Sequence, residues 1–189
     1  IYYYELAAGE KNSDALLKLG NIYFNGIGVE SDYTTAKGYY EIASSEGNHE
    51  AQLILGNYYR YGFIEEPDFQ IARHFYELSA EGGNAEALYN LGDFYENGIG
   101  VNRYYYKALC YYELSAKLNY SDAIIKSGYF YEKGLGVLID YEKAKRYYLS
   151  ATKNNSMAYV NLGNMYENGI GVEKNYELAI INNNSIAFL

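Results

Sequence analysis

Apolar residues recur along this chain at helical spacing, inside a repeat of 36 residues. A Leu-Gly pair marks each repeat, with Ser in place of Leu in the fourth. The pair stands at Leu19-Gly20, Leu55-Gly56, Leu91-Gly92, Ser127-Gly128 and Leu162-Gly163, at intervals of 36, 36, 36 and 35 residues. An alanine precedes each glycine by five residues, and a tyrosine follows it by three. So many aligned columns predict a chain of structural repeats.

Each repeat contains two predicted helices. In the first, Leu16, Leu19 and Tyr23 are spaced by three and four residues, which places them on one helical face. The second is expected to begin after a short polar side chain that accepts hydrogen bonds from free backbone N–H groups. These capping residues are Asp32, Asp68, Asp140 and Asn175, whereas Tyr104 holds the position in the third repeat. The start of the second helix in the third repeat is therefore less well specified.

Glycines and asparagines punctuate the predicted helices. The Leu-Gly glycine lies inside the first helix, where glycine costs about 1 kcal/mol relative to alanine. Its fixed column predicts that the backbone of another helix approaches it closely. Gly47 and Gly83 are predicted to end second helices in the left-handed conformation. The residues expected to cap the following first helices are Asn12, Asn48, Asn84 and Asn155.

A Gly-x-Gly-Val segment joins the two helices in most repeats, at Gly26–Val29, Gly98–Val101, Gly134–Val137 and Gly169–Val172. The second repeat has Gly62-Phe63-Ile64 instead and keeps the loop length, which predicts the same fold with a different local turn. A dinucleotide site would need a preceding strand and a third glycine, and a P-loop would need Gly-Lys-Ser/Thr. We therefore interpret these glycines as turn formers.

These columns resemble the Sel-1-like repeat family, whose repeats read Ala…Leu-Gly-x-x-Tyr, then Gly-x-Gly-Val-x-x-Asp, then Ala…Tyr-Tyr…Ala. The resemblance implies an all-α fold, an α/α superhelical solenoid of about five helix-turn-helix repeats related to tetratricopeptide repeats. The whole chain, 1–189, is expected to form one such domain. Its parts are a partial leading repeat at 1–11, repeats at 12–47, 48–83, 84–119 and 120–154, and a truncated repeat at 155–189.

Composition narrows the function. The chain has 27 Tyr and 7 Phe but no Trp, which suits half-buried surfaces because a tyrosine ring packs while its hydroxyl reaches water. A net charge of −9 opposes nucleic-acid binding. The single cysteine, Cys110, excludes an internal disulfide and a multi-thiolate zinc site, and it slightly favours a cytoplasmic location. No apolar run approaches the ~20 residues that membrane insertion requires.

No catalytic residue, metal site or cofactor is predicted, and we do not expect an enzyme. Neither His49 nor His74 has a His or Cys partner at ligand spacing. Ser150-x-x-Lys153 matches a serine acylase motif only formally, because the partner motifs are absent. Cysteine-rich members of the family have been associated with β-lactam hydrolysis, but this chain lacks their paired cysteines. A hydrolase is the weakest alternative.

Partner binding is the function that the resemblance implies, because family members act as scaffolds and adaptors. By analogy with tetratricopeptide repeats, the residues one and four places after the Leu-Gly glycine are expected on the concave face. The first site column is Asn21, Asn57, Asp93, Tyr129 and Asn164, and the second site column is Phe24, Arg60, Glu96, Glu132 and Glu167. Amides can hold an extended peptide backbone. The carboxylates favour a ligand with a basic segment.

We therefore predict an interaction scaffold that binds a protein or peptide along its concave face. The alternative is a structural spacer within a larger multidomain protein. Because terminal repeats without a polar cap expose apolar surface, we also expect self-association through the ends of the repeat stack.

Overall fold

The computed structural model describes residues 1–153 and 155–184, with the side chains of 181–184 excepted. Throughout these residues the regular elements are α-helices, which confirms the predicted all-α repeat fold. In chain order they are α1 (Tyr2–Gly9), α2 (Ser13–Asn25), α3 (Tyr33–Ser45), α4 (His49–Tyr61), α5 (Phe69–Glu81), α6 (Ala85–Asn97), α7 (Tyr105–Lys117), α8 (Ser121–Lys133), α9 (Tyr141–Ala151), α10 (Met157–Asn168) and α11 (Tyr176–Asn184). None of the helices described combines the length and apolar character needed to cross a bilayer.

The chain divides into two compact units, Ile1–Leu91 (unit 1) and Gly92–Leu189 (unit 2). The division falls inside α6, between the leucine and the glycine of the third repeat. In unit 1, the helices from α1 to α5 pack against their neighbours in chain order, and in unit 2 the helices from α7 to α11 do the same. Each unit therefore builds its core from helices adjacent in sequence, as stacked repeats do.

Polar side chains begin the helices at the predicted positions. The first helices α2, α4 and α6 are capped by the side-chain oxygens of Asn12, Asn48 and Asn84. These oxygens accept hydrogen bonds from backbone N–H groups at 2.9–3.0 Å. Asn155 accepts such a bond from Met157. The second helices α3, α5, α9 and α11 are capped at 2.8–3.0 Å by Asp32, Asp68, Asp140 and Asn175. Tyr104 makes no side-chain cap bond, yet α7 begins in register at Tyr105.

The Gly-x-Gly loops are turns, as predicted. Both glycines of each complete copy have positive φ, for example 67° at Gly26 and 73° at Gly28. The second repeat keeps the first of these glycines, Gly62 at φ 64°, and replaces the second with Ile64, which does not adopt positive φ. Because isoleucine is strained in the left-handed region, this loop follows a different local path between α4 and α5.

In the first four repeats, the glycine inside the first helix faces an aromatic ring. A Cβ atom placed on Gly56 would lie 2.5 Å from the ring of Tyr76 on α5. A Cβ atom placed on Gly92 or on Gly128 would lie 2.6 Å from a tyrosine ring of the next helix. The prediction that a helix backbone approaches this glycine is therefore wrong, because a side chain fills the space. The four tyrosines that make this contact are Tyr40, Tyr76, Tyr112 and Tyr148, all of them fully buried.

A second aromatic contact repeats beside the first. In the same four repeats, the tyrosine three residues after the glycine stacks on the aromatic residue that precedes the buried tyrosine. Ring centroids are 5.6–6.0 Å apart and the planes lie within 15° of parallel, in Tyr23–Tyr39, Tyr59–Phe75, Tyr95–Tyr111 and Tyr131–Tyr147. Such pairs stabilise by about 0.5–1.5 kcal/mol beyond area burial. Each of the four helix pairs α2–α3, α4–α5, α6–α7 and α8–α9 is thus held by one ring docked on glycine and one stacked ring.

The glycine contact predicts opposite effects for two alanine substitutions in unit 1. Gly56→Ala places a methyl group against the Tyr76 ring and should lower the free energy of unfolding by about 1–3 kcal/mol. Gly38→Ala lies in a helix with nothing within 4 Å of the new methyl group, and should raise stability by up to about 1 kcal/mol. Chemical denaturation of the two variants measures both. Equal effects of the same sign would contradict the contact.

Candidate functional site

Buried tyrosines are hydrogen-bonded to the first site column in unit 1. The Tyr40 hydroxyl donates to Asn21 Oδ1 at 2.7 Å, and the Tyr76 hydroxyl donates to Asn57 Oδ1 at 2.7 Å. The tyrosine ring that docks on the glycine therefore ends on a residue that the sequence assigned to the binding surface. Burial raises the pKa of both hydroxyls above the ordinary tyrosine value, so both stay protonated donors.

In unit 2 the same hydroxyl bonds to the second site column. The Tyr112 hydroxyl donates to Glu96 Oε2, and the Tyr148 hydroxyl donates to Glu132 Oε2 at 2.9 Å. The first site column holds Asp93 and Tyr129 in these two repeats, and Asp93 Oδ1 accepts from Asn97 Nδ2. The residue four places after the glycine then supplies the oxygen instead of the residue one place after it.

Lysines balance these two carboxylates. Lys126 Nζ lies 2.8 Å from Glu96 Oε2, and Lys133 Nζ lies 2.6 Å from Glu132 Oε1. The carboxylate side chains are largely buried, with exposures of 14% for Glu96 and 10% for Glu132. The hydrogen bond and charge of Glu132 raise the pKa of Lys133 even though burial opposes this shift. The second site column in unit 2 therefore carries less net negative charge than its sequence indicates.

A recess in unit 1 brings together three of the predicted site residues, Asn21, Phe24 and Asn57. It has a volume of about 280 Å³, and its remaining walls are Asn25, Tyr40, Ile54, Tyr58 and Phe63. Ring centroids in this wall are 5.8 Å apart for Phe24–Tyr58, 5.9 Å for Phe24–Phe63 and 5.2 Å for Tyr58–Phe63. Burial is the main reason why the pKa of Tyr58 rises to about 12. The recess combines a low-polarity aromatic wall with side-chain amides.

The remaining predicted site residues lie outside this recess. Arg60 donates to Asn90 Oδ1 at 3.3 Å and lies over the Tyr61 ring. Asp93 accepts from Asn97 Nδ2 at 2.6 Å. Three of the predicted site residues on α8 and α10 are exposed: Tyr129, Asn164 and Glu167. These three are the predicted positions most open to a partner in unit 2.

A polar cluster in unit 2 was not predicted from the sequence. Glu113 on α7 accepts from Tyr131 and Tyr147 hydroxyls at 3.0 and 2.9 Å and from Lys143 Nζ at 3.0 Å. Lys143 also lies 3.9 Å from the centroid of the Tyr131 ring. Burial alone would raise the pKa of Glu113, but bonds from Lys143 and the tyrosines outweigh it and lower the pKa. The cluster ties α7, α8 and α9 together.

The residues that most often carry chemistry are accounted for structurally. His49 begins α4, with Nδ1 3.0 Å from Gln52 Oε1 and its ring against Gly82. His74 is exposed on α5, and Cys110 is half-buried on α7. Across the residues described, no cluster of three His, Cys, Asp or Glu side chains is arranged to hold a metal ion.

Paired helices, Gly-x-Gly turns and recurrent glycine–tyrosine contacts define a helical-repeat protein. The model of the Sel1 repeat matches residues 13–48, 49–84, 85–120, 121–156 and 156–181. The chain belongs to the Sel1 repeat family, whose members generally mediate protein–protein interactions. The resemblance in the sequence is thereby confirmed.

Two solved structures are similar to this chain over nearly its whole length. One is c5321, a protective antigen present in uropathogenic Escherichia coli strains, with 28% identity and a TM-score of 0.93. That match covers 98% of this chain but only 40% of the antigen. The other is a Sel1 repeat protein from Oxalobacter formigenes, with 28% identity, a TM-score of 0.91 and coverage of 99% and 77%. No curated protein matches the chain.

The change of acceptor predicts two unequal coupling energies. A double-mutant cycle of Tyr148→Phe with Glu132→Ala should give about 1.5–3 kcal/mol, because the acceptor is charged. A cycle of Tyr40→Phe with Asn21→Ala should give about 0.5–1.5 kcal/mol, because that pair is neutral. Chemical denaturation measures both. A larger coupling energy at the asparagine would contradict the assignment.

The Glu113 cluster predicts a pH-dependent loss of stability. Folding lowers the pKa of Glu113. The contribution of Glu113 to the free energy of unfolding is therefore fully present above the pKa of the unfolded chain, about 4.3, and is lost as the pH falls through the pKa of the folded protein. Glu113→Gln should therefore destabilise by about 1–2 kcal/mol at pH 7 and by little below pH ~4. Glu30→Gln, on an exposed loop residue, is the control. A difference that persists undiminished at low pH would contradict the interpretation.

Proposed function

We propose that this chain is a non-enzymatic scaffold that binds a protein partner through its two site columns. The observation that carries the proposal is the recess of unit 1, which gathers Asn21, Phe24 and Asn57 from two successive repeats. Family membership supports the class of function, since Sel1 repeats generally mediate protein–protein interactions. The amides and aromatic rings supply what a partner's backbone and side chains require.

A basic segment of the partner is proposed to bind in unit 2. With Glu96 and Glu132 paired to lysines, the attraction comes from Asp93 and Glu167. Glu167 is exposed, so its charge reaches solvent. Electrostatic complementarity of this kind raises association rates more than it raises affinity.

Self-association is the second part of the proposal. Helix α1 exposes 65% of Tyr2, 82% of Tyr3 and 54% of Leu6. Exposed apolar surface of this kind favours contact with another chain. Sedimentation velocity across a range of concentrations tests this part. A species that stays monomeric at high concentration would contradict it.

Partner capture tests the main proposal. Proteins retained by the immobilised chain are identified and purified, and their dissociation constants are then measured. Tyr129→Ala and Glu167→Lys change exposed residues of the site columns without removing a partner of a buried tyrosine. Each should weaken binding about tenfold or more, a loss of about 1.4 kcal/mol. Glu96→Lys is unsuitable, because it also removes the acceptor of Tyr112.

Matched controls keep this test specific. Tyr106→Ala removes an exposed aromatic residue of α7 outside both columns, and Glu30→Lys reverses an exposed charge on a loop. Both should leave the dissociation constant within about twofold, as surface changes away from a binding site generally do. Loss of binding in the controls, with none in the column variants, would place the partner on another surface.

A further inference from the structure

We propose that the recess of unit 1 receives an uncharged, extended segment of a partner protein, with one bulky apolar side chain against Phe24 and Phe63. Backbone carbonyl oxygens of that segment accept hydrogen bonds from the side-chain amides of Asn21 and Asn57. This inference rests on the proposed function and specifies the chemistry of the partner. It concerns only unit 1, where the residues that form the recess all lie.

The core of the repeats fixes which atom of each amide faces the partner. A tyrosine hydroxyl has a single hydrogen to donate. The Tyr76 hydroxyl donates it to Asn57 Oδ1, 2.7 Å away. The Tyr40 hydroxyl likewise donates to Asn21 Oδ1 at 2.7 Å. Each amide oxygen is thus occupied, and the NH₂ group is left as the donor.

The side-chain NH₂ groups of Asn21 and Asn57 make no hydrogen bond to any of the residues described. Asn25 Nδ2, in contrast, donates to the backbone oxygen of Asn21 at 2.8 Å. The recess therefore presents donors, one from each of two successive repeats. A ligand must supply acceptors, and a peptide backbone supplies one carbonyl oxygen per residue.

The aromatic wall depends on the departure of the second repeat from the Gly-x-Gly-Val pattern. Phe63 stands where the other repeats have Ile27, Ile99, Leu135 and Ile170. Its ring contacts Phe24, Tyr58 and Tyr61, yet 45% of its surface is exposed. Phe24 is also particular to its repeat, because the other residues of the second site column are charged. These two aromatic residues give this recess an apolar wall that the repeat pattern alone does not supply.

Size and charge select the occupant. No residue in the wall of the recess is charged, so a Lys, Arg, Asp or Glu side chain would lose hydration without gaining a partner of opposite charge. The volume of about 280 Å³ lies just below the range of roughly 300–1,000 Å³ typical of small-molecule sites. That volume suits one large side chain with its adjoining backbone. A neutral segment with Leu or Phe at its centre satisfies all these conditions.

Four synthetic peptides test the proposal. Each is an eight-residue, N-acetylated and C-amidated Gly/Ser peptide with Leu, Phe, Lys or Glu at its centre. Titration into the isotope-labelled chain is followed by NMR at the side-chain NH₂ groups of Asn21 and Asn57. The Leu and Phe peptides should shift both signals and bind at least fivefold more tightly than the Lys and Glu peptides. Tighter binding of the Lys or Glu peptide, or no shift with any peptide, would overturn the proposal.

Asn21→Asp together with Asn57→Asp provides the sharpest variant. Aspartate keeps an oxygen for the tyrosine hydroxyl but replaces the donor that faces the partner with an acceptor. Binding of the Leu peptide should fall tenfold or more, while the helical signal stays unchanged. Asn102→Asp, the same change on an exposed loop, should leave binding unaltered.

Phe63→Ser tests the aromatic wall separately, with Ile42→Ala as a control at an exposed apolar residue of α3. Only the first should weaken binding of the Leu and Phe peptides. If all peptides fail while Tyr129→Ala still weakens capture of a natural partner, this inference falls and the scaffold function stands. If neither peptide nor partner responds to the site columns, both fall.

Discussion

The contact between a buried tyrosine ring and a glycine is the constraint on which the repeats depend. Gly56 and Tyr76 show it most simply. The Tyr76 ring occupies the space that a side chain on Gly56 would fill, and its hydroxyl donates a hydrogen bond to Asn57. One residue therefore fills the core and orients a polar group of the candidate site. Packing of the helix pair and the chemistry of the proposed binding surface are therefore linked.

Most of the fold could be predicted because its signals are local. Asp32 caps α3 through oxygens near its own backbone, and Gly26 turns the chain by its own φ, so each acts within a few residues. The occupant of the glycine space could not be predicted with the same confidence, because a close backbone and a close ring both require glycine. The recurring aromatic pair 19–20 residues later, as in Tyr39-Tyr40, was the signal that could have distinguished them.

The candidate site was predictable as a set of positions but not as a set of roles. Analogy selected Asn21 and Glu132 alike, whereas the structure assigns both to hydroxyl groups of the core. Part of this exchange is visible in the sequence, because Glu96 and Glu132 appear in the two repeats where Asp93 and Tyr129 replace asparagine, although the fifth repeat has Glu167 together with Asn164. The recess itself depends on Phe63, which departs from the repeat pattern and whose placement requires the folded loop.

The central claim is that the core hydroxyl determines what the recess can bind. Tyr76→Phe tests it most directly, because it keeps the ring on Gly56 and removes only the group that orients the Asn57 amide. NMR titration with the Leu-centred peptide should show binding weakened by about threefold or more. The free energy of unfolding should fall by only about 0.5–1.5 kcal/mol, the contribution of one hydrogen bond. Unchanged affinity in a folded variant would show that the amide is oriented independently, and would contradict the account.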